Sequence, residues 1–148
     1  MHFLFFVKLF LGDDIMDCIF CKIIKGEIPS YTIYEDEFIK CFLDINPSTN
    51  GDLLIVPKKH YENILDIEEN LVIHIHKVSK KIYHILKERL NIDGLTLVQN
   101  NFYGQEIKHY HLHLTPRYKD DNLTQNFNKD LLDDISKTYE KLKEVNFT

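Results

Sequence analysis

Three histidines spaced two residues apart, His109, His111 and His113, are the clearest chemical signal in the chain. Side chains of an extended strand alternate between its faces, so the three imidazoles would share one face, each about 7 Å from the next. Tyr110 and Leu112 would then point the other way, into a core. Because buried imidazoles are costly unless each finds a partner, this row indicates a functional site.

Spacing alone leaves the chemistry of the row open. Ordinary half-exposed polar residues would not need so strict a repeat followed by Pro116 and Arg117. A His-x-His pair on a strand can place two imidazoles on one zinc ion. Alternatively, one imidazole can attack an electrophile such as phosphorus. The metal and nucleophile interpretations can also coexist.

A sheet is required to position this row. The alternating stretch 105–117 predicts a strand that pairs with the strand predicted at 95–98 across the loop 99–104. Further strands are predicted at 31–34, 38–43 and 52–56. Short connections between strands, interrupted by helical segments, indicate an antiparallel α+β domain.

Three helices are predicted around that sheet. A short one over 17–25 carries Cys18 and Cys21 on adjacent turns, and an amphipathic, highly charged one covers 128–145. The long one, over 66–90, would begin with a capping box of Asp66 and Glu69. Its own histidines do not form a single row, so we expect them to be solvated or partly packed; they are His74, His76 and His84.

Bulk properties restrict the class of protein. With 148 residues, 44% hydrophobic and 28% charged, the chain has the composition of one soluble globular domain. Its net charge of −5 provides no general attraction to nucleic acid or to an anionic membrane. Three cysteines argue against a disulfide framework and leave redox chemistry or metal binding for the Cys-x-x-Cys pair in a reducing compartment. We therefore expect a cytoplasmic protein, with a nuclear fraction also compatible.

The first sixteen residues stand apart from this domain. Residues 1–11 are mostly Phe and Leu, a run too short to span a bilayer and without the features of a cleaved signal peptide. We interpret 1–16 as an extension, disordered or translated from an upstream start, and 17–148 as the single domain.

Three blocks of sequence, in this order, resemble the histidine triad (HIT) superfamily, in particular its HINT-like branch. They are residues 18–29 with the Cys-x-x-Cys pair, residues 54–60, and residues 104–117 with the histidine row. The resemblance covers about 17–117. It implies a HIT-like antiparallel sheet of about five strands with a long central helix and a C-terminal helix.

The resemblance also implies roles for individual residues. His111 would be the nucleophile that attacks the α-phosphorus of a nucleotide, with His113 in the same site and Gln105 contacting the phosphate or bridging atom. The positions that would line the nucleotide pocket are Phe20, Ile28, Phe42, Asp44, Ile45 and Asn100, together with Gln105, His111 and His113. A purine nucleotide of adenosine type is the implied ligand, and a homodimer the implied assembly.

A structural zinc ion follows from the same resemblance. Its implied ligands are Cys18, Cys21, His60 and His109. Such a closed tetrahedral set leaves no position for substrate. His109 would fasten the metal, and His111 would remain free to react.

Two departures bear on substrate. Asp52 follows Gly51 where the family commonly has histidine, and the loop 99–104 is about two residues shorter than usual. The expected function is a nucleotide hydrolase or transferase working through a nucleotidyl-histidine intermediate. The alternatives are a hydrolase with zinc on the triad itself and a nucleotide-binding regulatory or scaffold protein with little catalysis.

Overall fold

A five-stranded antiparallel sheet with helices on both faces forms the protein, as seen in a computed structural model that describes residues 17–144 and 146–147. The strands are β1 (Thr32–Glu35), β2 (Ile39–Leu43), β3 (Leu53–Pro57), β4 (Gly94–Val98) and β5 (Leu112–Arg117), in the order β1-β2-β3-β5-β4. The helices are α1 (Ile19–Ile24), α2 (Glu69–Leu90) and α3 (Ile135–Leu142). The predicted α+β architecture is confirmed; the extension interpreted over 1–16 lies outside the described residues.

Two apolar clusters cover the two faces of the sheet. Leu53 and Ile55 face α2, whose buried side chains include Ile75 and Ile82. Leu54 and Val56 face the other way, into a smaller cluster with Phe20 of α1. Every residue of β3 is therefore buried, which explains its continuous apolar sequence.

The strand that carries the histidines is shorter than predicted. It begins at Leu112, not at residue 105, because its partners end: β3 pairs with it only through Leu53–Ile55, and β4 ends at Val98, opposite His113. Upstream of Leu112, the N–H of Tyr110 donates to the carbonyl of Tyr61 at 2.7 Å, outside the sheet. The alternation nevertheless persists, since Tyr110, like Leu112, is buried in the cluster beneath α2.

The predicted capping box is wrong. Helix α2 begins at Glu69, and its N-cap residue, Glu68, makes no side-chain cap. The Asp66 carboxylate instead accepts the N–H groups of Glu62 and Asn63 at 2.9 and 2.8 Å. It therefore stabilises the turn before the helix, since a short acidic side chain bonds nearby backbone donors readily.

The two terminal helices are also shorter than predicted. Helix α1 starts at Ile19 because Cys18 is its N-cap, with Sγ accepting from the N–H of Cys21. Helix α3 starts at Ile135 because the Asp134 carboxylate caps it, and a separate 3-10 turn covers Lys129–Leu131. No residue of α3 is buried against the described part of its own chain.

Within residues 17–144 and 146–147, no helix has the length and hydropathy needed to cross a membrane.

Candidate metal centre and histidine site

Helix α1 and two distant segments bring four possible metal ligands together. Cys18 and Cys21 lie on its first turn, His60 follows β3, and His109 precedes β5. Their ligand atoms all lie within 4.8 Å of one another. His109 Nδ1 is 3.4 Å from Cys18 Sγ and 3.5 Å from Cys21 Sγ, and His60 Nδ1 is 3.3 Å from Cys21 Sγ.

These separations fit a tetrahedral zinc ion. Zinc binds thiolate at about 2.3 Å and imidazole at about 2.0 Å, so two such ligands at a tetrahedral angle lie about 3.5 Å apart. All three sulfur-to-nitrogen distances agree with that spacing. The donor set therefore suits zinc, and among the described residues it is the one group of three or more His, Cys, Asp or Glu residues close enough to hold a metal.

The second nitrogen of His109 orients its ring toward the thiols. Nε2 donates to the carbonyl of Pro57 at 2.8 Å, since a carbonyl can only accept. In a neutral imidazole, Nδ1 then carries the lone pair, which a metal ligand requires. Burial is also the main reason that the pKa of His109 is lowered to about 4, so the ring is neutral near pH 7.

The Cys21 thiol favours its protonated form when no metal is bound. Burial, followed by the charge and hydrogen bond of Cys18, raises the pKa of Cys21 to about 12. A cation that binds both sulfurs would reverse this preference, because only thiolates are good ligands. The sequence contained no signal for the Pro57 carbonyl, since a backbone acceptor has no side-chain signature.

The backbone carbonyl of His109 orients the ring of His111. His111 Nδ1 donates to the carbonyl of His109 at 2.7 Å. The neutral ring therefore has its bare nitrogen at Nε2, on the side away from the main chain. Burial lowers the pKa of His111, and the ring of Phe20 stands edge-on to it with centroids 5.1 Å apart.

His113 lies next to His111 at the start of the β5 ladder. The two ring centroids are 4.8 Å apart, and His113 is paired with Leu54 of β3. Asp44 lies in the electrostatic range of His113: burial raises the pKa of Asp44, Asp52 and Glu106 raise it further, and His113 acts in the opposite direction. Glu106 also acts on His111, raising its pKa against the effect of burial.

Glu106 was not among the residues predicted from the sequence. It directly follows Gln105, and its carboxylate is exposed. Its position next to the predicted site residue Gln105 was the only signal in the sequence that could have indicated it. Charge alone does not indicate which surface residue faces a histidine.

The pocket positions are only partly brought together. Phe20 and Phe42 belong to one apolar cluster with ring centroids 5.8 Å apart, and Ile28 packs against it. Asp44 accepts the N–H of Asn46 at 2.8 Å. Ile45 is 62% exposed and is not part of that cluster.

The short loop between β4 and β5 is tied to the segment after His60. Gln105 Nε2 donates to the carbonyl of Glu62 at 2.6 Å, and the Asn101 side chain accepts the N–H of Ile64 at 2.8 Å. The carbonyl of Asn100 accepts from Gln99. The side-chain amide of Gln105 therefore donates to the backbone carbonyl of Glu62 and not to a histidine.

Asp52 is buried on the same sheet face as His113. Leu54 pairs with His113, and two residues earlier the Asp52 carboxylate accepts from the hydroxyl of Thr115 at 2.9 Å. It also accepts the N–H of Ser48 at 2.9 Å, and only 4% of Asp52 is exposed. The acid thus anchors the loop before β3 while adding negative charge to the histidine face.

The chain and its fold are both similar to known proteins. Residues 25–120, which contain His60 and all three histidines of the row, match the model of the HIT domain. An uncharacterized HIT-like protein of Methanocaldococcus jannaschii is 42% identical over 128 residues, which cover 85% of this chain and 98% of that protein.

The names of two further relatives state an activity or a bound metal. The adenosine 5′-monophosphoramidase HNT1 of Saccharomyces cerevisiae is 38% identical over 102 residues, covering 68% of this chain and 62% of HNT1. The crystal structure of a zinc-bound histidine triad family protein from Mycobacterium smegmatis superimposes with a TM-score of 0.71 at 34% identity, covering 80% of this chain and 86% of that one. The similarity therefore extends through both the sheet and the histidine row.

Proposed function

Because the chain belongs to the HIT domain family, we propose that it is a nucleotide hydrolase in which His111 attacks the α-phosphorus of its substrate. The observation that carries this proposal is the 2.7 Å hydrogen bond from His111 Nδ1 to the His109 carbonyl. That bond leaves Nε2 as a bare nitrogen, a nucleophile that need not lose a proton before it reacts. The name of the yeast relative, an adenosine monophosphoramidase, supports an adenosine-type substrate.

The reaction would proceed in two displacements at phosphorus. His111 Nε2 forms a bond to the α-phosphorus while the bond to the leaving group breaks, and the leaving group takes up a proton. Water then attacks the same phosphorus, releasing the nucleoside monophosphate and restoring His111. Positioning and charge stabilisation do most of the work in such transfers, and His113, whose ring centroid lies 4.8 Å from that of His111, would donate to the phosphoryl oxygens. Nucleoside phosphoramidates, adenylates and dinucleoside polyphosphates all fit this scheme.

Zinc would have a structural role in this scheme. Cys18, Cys21, His60 and His109 would hold it, and a set of four protein ligands completes a tetrahedral coordination sphere. When bound, the ion would fasten α1 and the segment before β5 to each other. The alternative of zinc held by the whole triad is not supported, because His109 is the only triad member in the metal group found among the described residues.

A hydrolysis panel with three histidine variants tests the proposal. Adenosine phosphoramidate and diadenosine polyphosphates are offered to wild type, and His111→Asn should reduce turnover on the order of a thousandfold while retaining zinc, fold and nucleotide binding. His113→Asn should lose less, because water can partly replace a hydrogen-bond donor. His109→Asn should instead lose zinc and stability. Near-wild-type turnover by His111→Asn would refute the assignment.

A nucleotide-binding protein with little catalysis is the second candidate. The observation that favours it is the Gln105 amide, which is bonded to the Glu62 carbonyl and not directed at the histidines. Tight nucleotide binding by wild type without turnover on any member of the panel would select this function.

A further inference from the structure

A surface depression lies between β1 and α2, on the sheet face opposite the histidine site. It is shallow and open to solvent, with a volume of about 410 Å³. Tyr34 of β1 forms one wall, and the flank of α2 forms the other. The lining residues are Tyr34, His74, Lys77, Val78, Lys80, Lys81 and His84.

The lysines of this depression lack ion-pair partners. Within residues 17–144 and 146–147, Lys77, Lys80 and Lys81 form no salt bridge with any carboxylate. By contrast, Lys58 pairs with Glu35 of β1 at 2.9 Å. Among the described residues these three ammonium groups are therefore clustered without a paired carboxylate, although the chain as a whole has a net charge of −5.

The arrangement of these lysines has an energetic cost. Lys77 stands three residues before Lys80 and four before Lys81, so the three ammonium groups are neighbours on the helix surface. Like charges at these spacings destabilise a helix by about 0.2–0.5 kcal/mol per pair. A bound anion would remove that repulsion.

The carboxylate of Asp36 lies at one wall of the depression, where it pairs with His74 at 2.7 Å. Asp36 accepts from the Tyr34 hydroxyl at 2.9 Å, from His74 Nε2 at 2.7 Å, and from the N–H groups of Phe38 and Ile39. Its oxygens are thus occupied by the walls of the depression. The effect is to hold the Tyr34 ring and the His74 ring in place beside the lysines.

We propose that this depression binds an oligophosphate chain through Lys77, Lys80 and Lys81. The three lysines, from Lys77 to Lys81, rise about 6 Å along the helix axis, so their adjacent ammonium groups suit an anion with several charges better than a single phosphate. Lysine ammonium groups bind phosphate as point charges, which suits a flexible chain. The ligand is inorganic oligophosphate or the triphosphate tail of a nucleotide, whose base would then lie against Tyr34.

Titration calorimetry at 0.15 M salt, with inorganic tripolyphosphate as the probe, tests the site. Lys77→Gln/Lys81→Gln should weaken binding at least tenfold, while retaining helix propensity because Gln is close to Lys in that scale. The matched control is Lys137→Gln/Lys141→Gln, an exposed pair with the same spacing on α3 that lies outside the depression. Its effect should stay below twofold.

Three results would overturn the site. These are no binding to wild type, equal losses in the two lysine pairs, and binding that the Lys77/Lys81 change leaves intact.

Adenosine triphosphate distinguishes the ligand sources. If adenosine triphosphate binds through Lys77 and Lys81 more tightly than tripolyphosphate does, and Tyr34→Ala removes that extra affinity, the ligand is a nucleotide; equal affinities of the two probes indicate inorganic oligophosphate. Nucleotide turnover in the Lys77/Lys81 variant should remain within twofold of wild type, since the depression lies on the other sheet face.

Discussion

His109 and His111 show how neighbouring atoms divide identical side chains between different tasks. His109 donates from Nε2 to the Pro57 carbonyl, which directs Nδ1 at two thiols. His111 donates from Nδ1 to the His109 carbonyl, which leaves Nε2 bare. One backbone carbonyl for each ring thus fixes the opposite tautomer, so that one imidazole suits a metal and the other suits nucleophilic attack.

The effect of the Asp52 charge on nucleotide affinity is also a property of a single residue, and it can be tested. Asp52→Asn should tighten the binding of adenosine monophosphate several-fold, because removing a unit charge 4–6 Å from an anion is worth about 1 kcal/mol even in water. The asparagine can still accept from Thr115, so the loop before β3 should persist. Titration calorimetry of both proteins measures the change.

The control is Asp93→Asn, which changes a carboxylate that also accepts a backbone N–H but lies at the start of β4. It should leave the affinity unchanged. If Asp52→Asn also has no effect, the Asp52 charge does not reach the phosphate.

At the scale of the element, α1 and its N-cap residue carry two of the four candidate metal ligands. The helix has six residues and contributes Phe20 and Ile23 to the smaller apolar cluster. A helix of this length is only marginally stable by itself. Zinc bound by Cys18 and Cys21 would therefore contribute directly to its stability.

Wild type should therefore contain one zinc per chain, and Cys18→Ser should lose it and unfold at lower temperature. Metal analysis and thermal unfolding provide the measurements. Cys41→Ala is the control: Cys41 is buried in the sheet away from the ligands, so this variant should lose stability but keep its zinc. Full zinc in Cys18→Ser, or none in wild type, would contradict the metal site.

Asp36, in the turn between β1 and β2, makes the free energy of unfolding depend on pH. Burial opposes ionisation of Asp36, but hydrogen bonds from Phe38, His74, Ile39 and Tyr34 outweigh it and hold the pKa of Asp36 below its usual value. Since the unfolded chain then binds a proton more readily, this stabilisation is present above about pH 4 and is lost as the pH falls through the lowered pKa.

Asp36→Asn should accordingly reduce the free energy of unfolding on the order of 1 kcal/mol at pH 6 and by less at pH 2. Denaturant unfolding at the two values measures this difference. Acid would also weaken any metal binding in both proteins, so the difference between the two proteins is the relevant quantity. Asp133→Asn, at an exposed carboxylate, should show no such difference; an equal loss for Asp36→Asn at both pH values would mean that its effect is not ionic.

The whole molecule, over the residues that the structure describes, presents apolar side chains that remain exposed. Leu131, Leu132 and Ile135, at and before the start of α3, are exposed, and the edge strand β4 exposes 42% of Leu97. Contiguous exposed apolar surface commonly marks an interaction site, and an open sheet edge can pair with another. These features are consistent with the predicted homodimer.

Light scattering at micromolar concentration should give twice the chain's mass of 17.7 kDa. Two variants identify the edge: Leu97→Asp places a charge on β4, and Ile33→Asp places one on β1. One of them should shift the protein toward the monomer while the other serves as its control. A monomer mass for wild type would show that the exposed apolar residues do not mediate self-association.

The sequence by itself determined the fold class and the elements that position the site. Alternation with period two and helical spacing depend on local backbone geometry, and the motif blocks identify the family, so these could be predicted without coordinates. Element boundaries were less accurate, because Leu112 begins β5 where its partner strands begin to pair with it and Asp66 caps a turn where a helix start was expected.

Only the tertiary structure decided which groups meet. It brought His60 to Cys21 across 39 residues and His109 to Cys18 across 91, and it supplied the carbonyl partners that orient each imidazole. It also bonded Gln105 to Glu62 and Asp52 to Thr115, and it placed the lysines of α2 beside Tyr34. The physical reason is the same in each case: such contacts depend on how separate elements pack, and packing is not encoded in any local spacing.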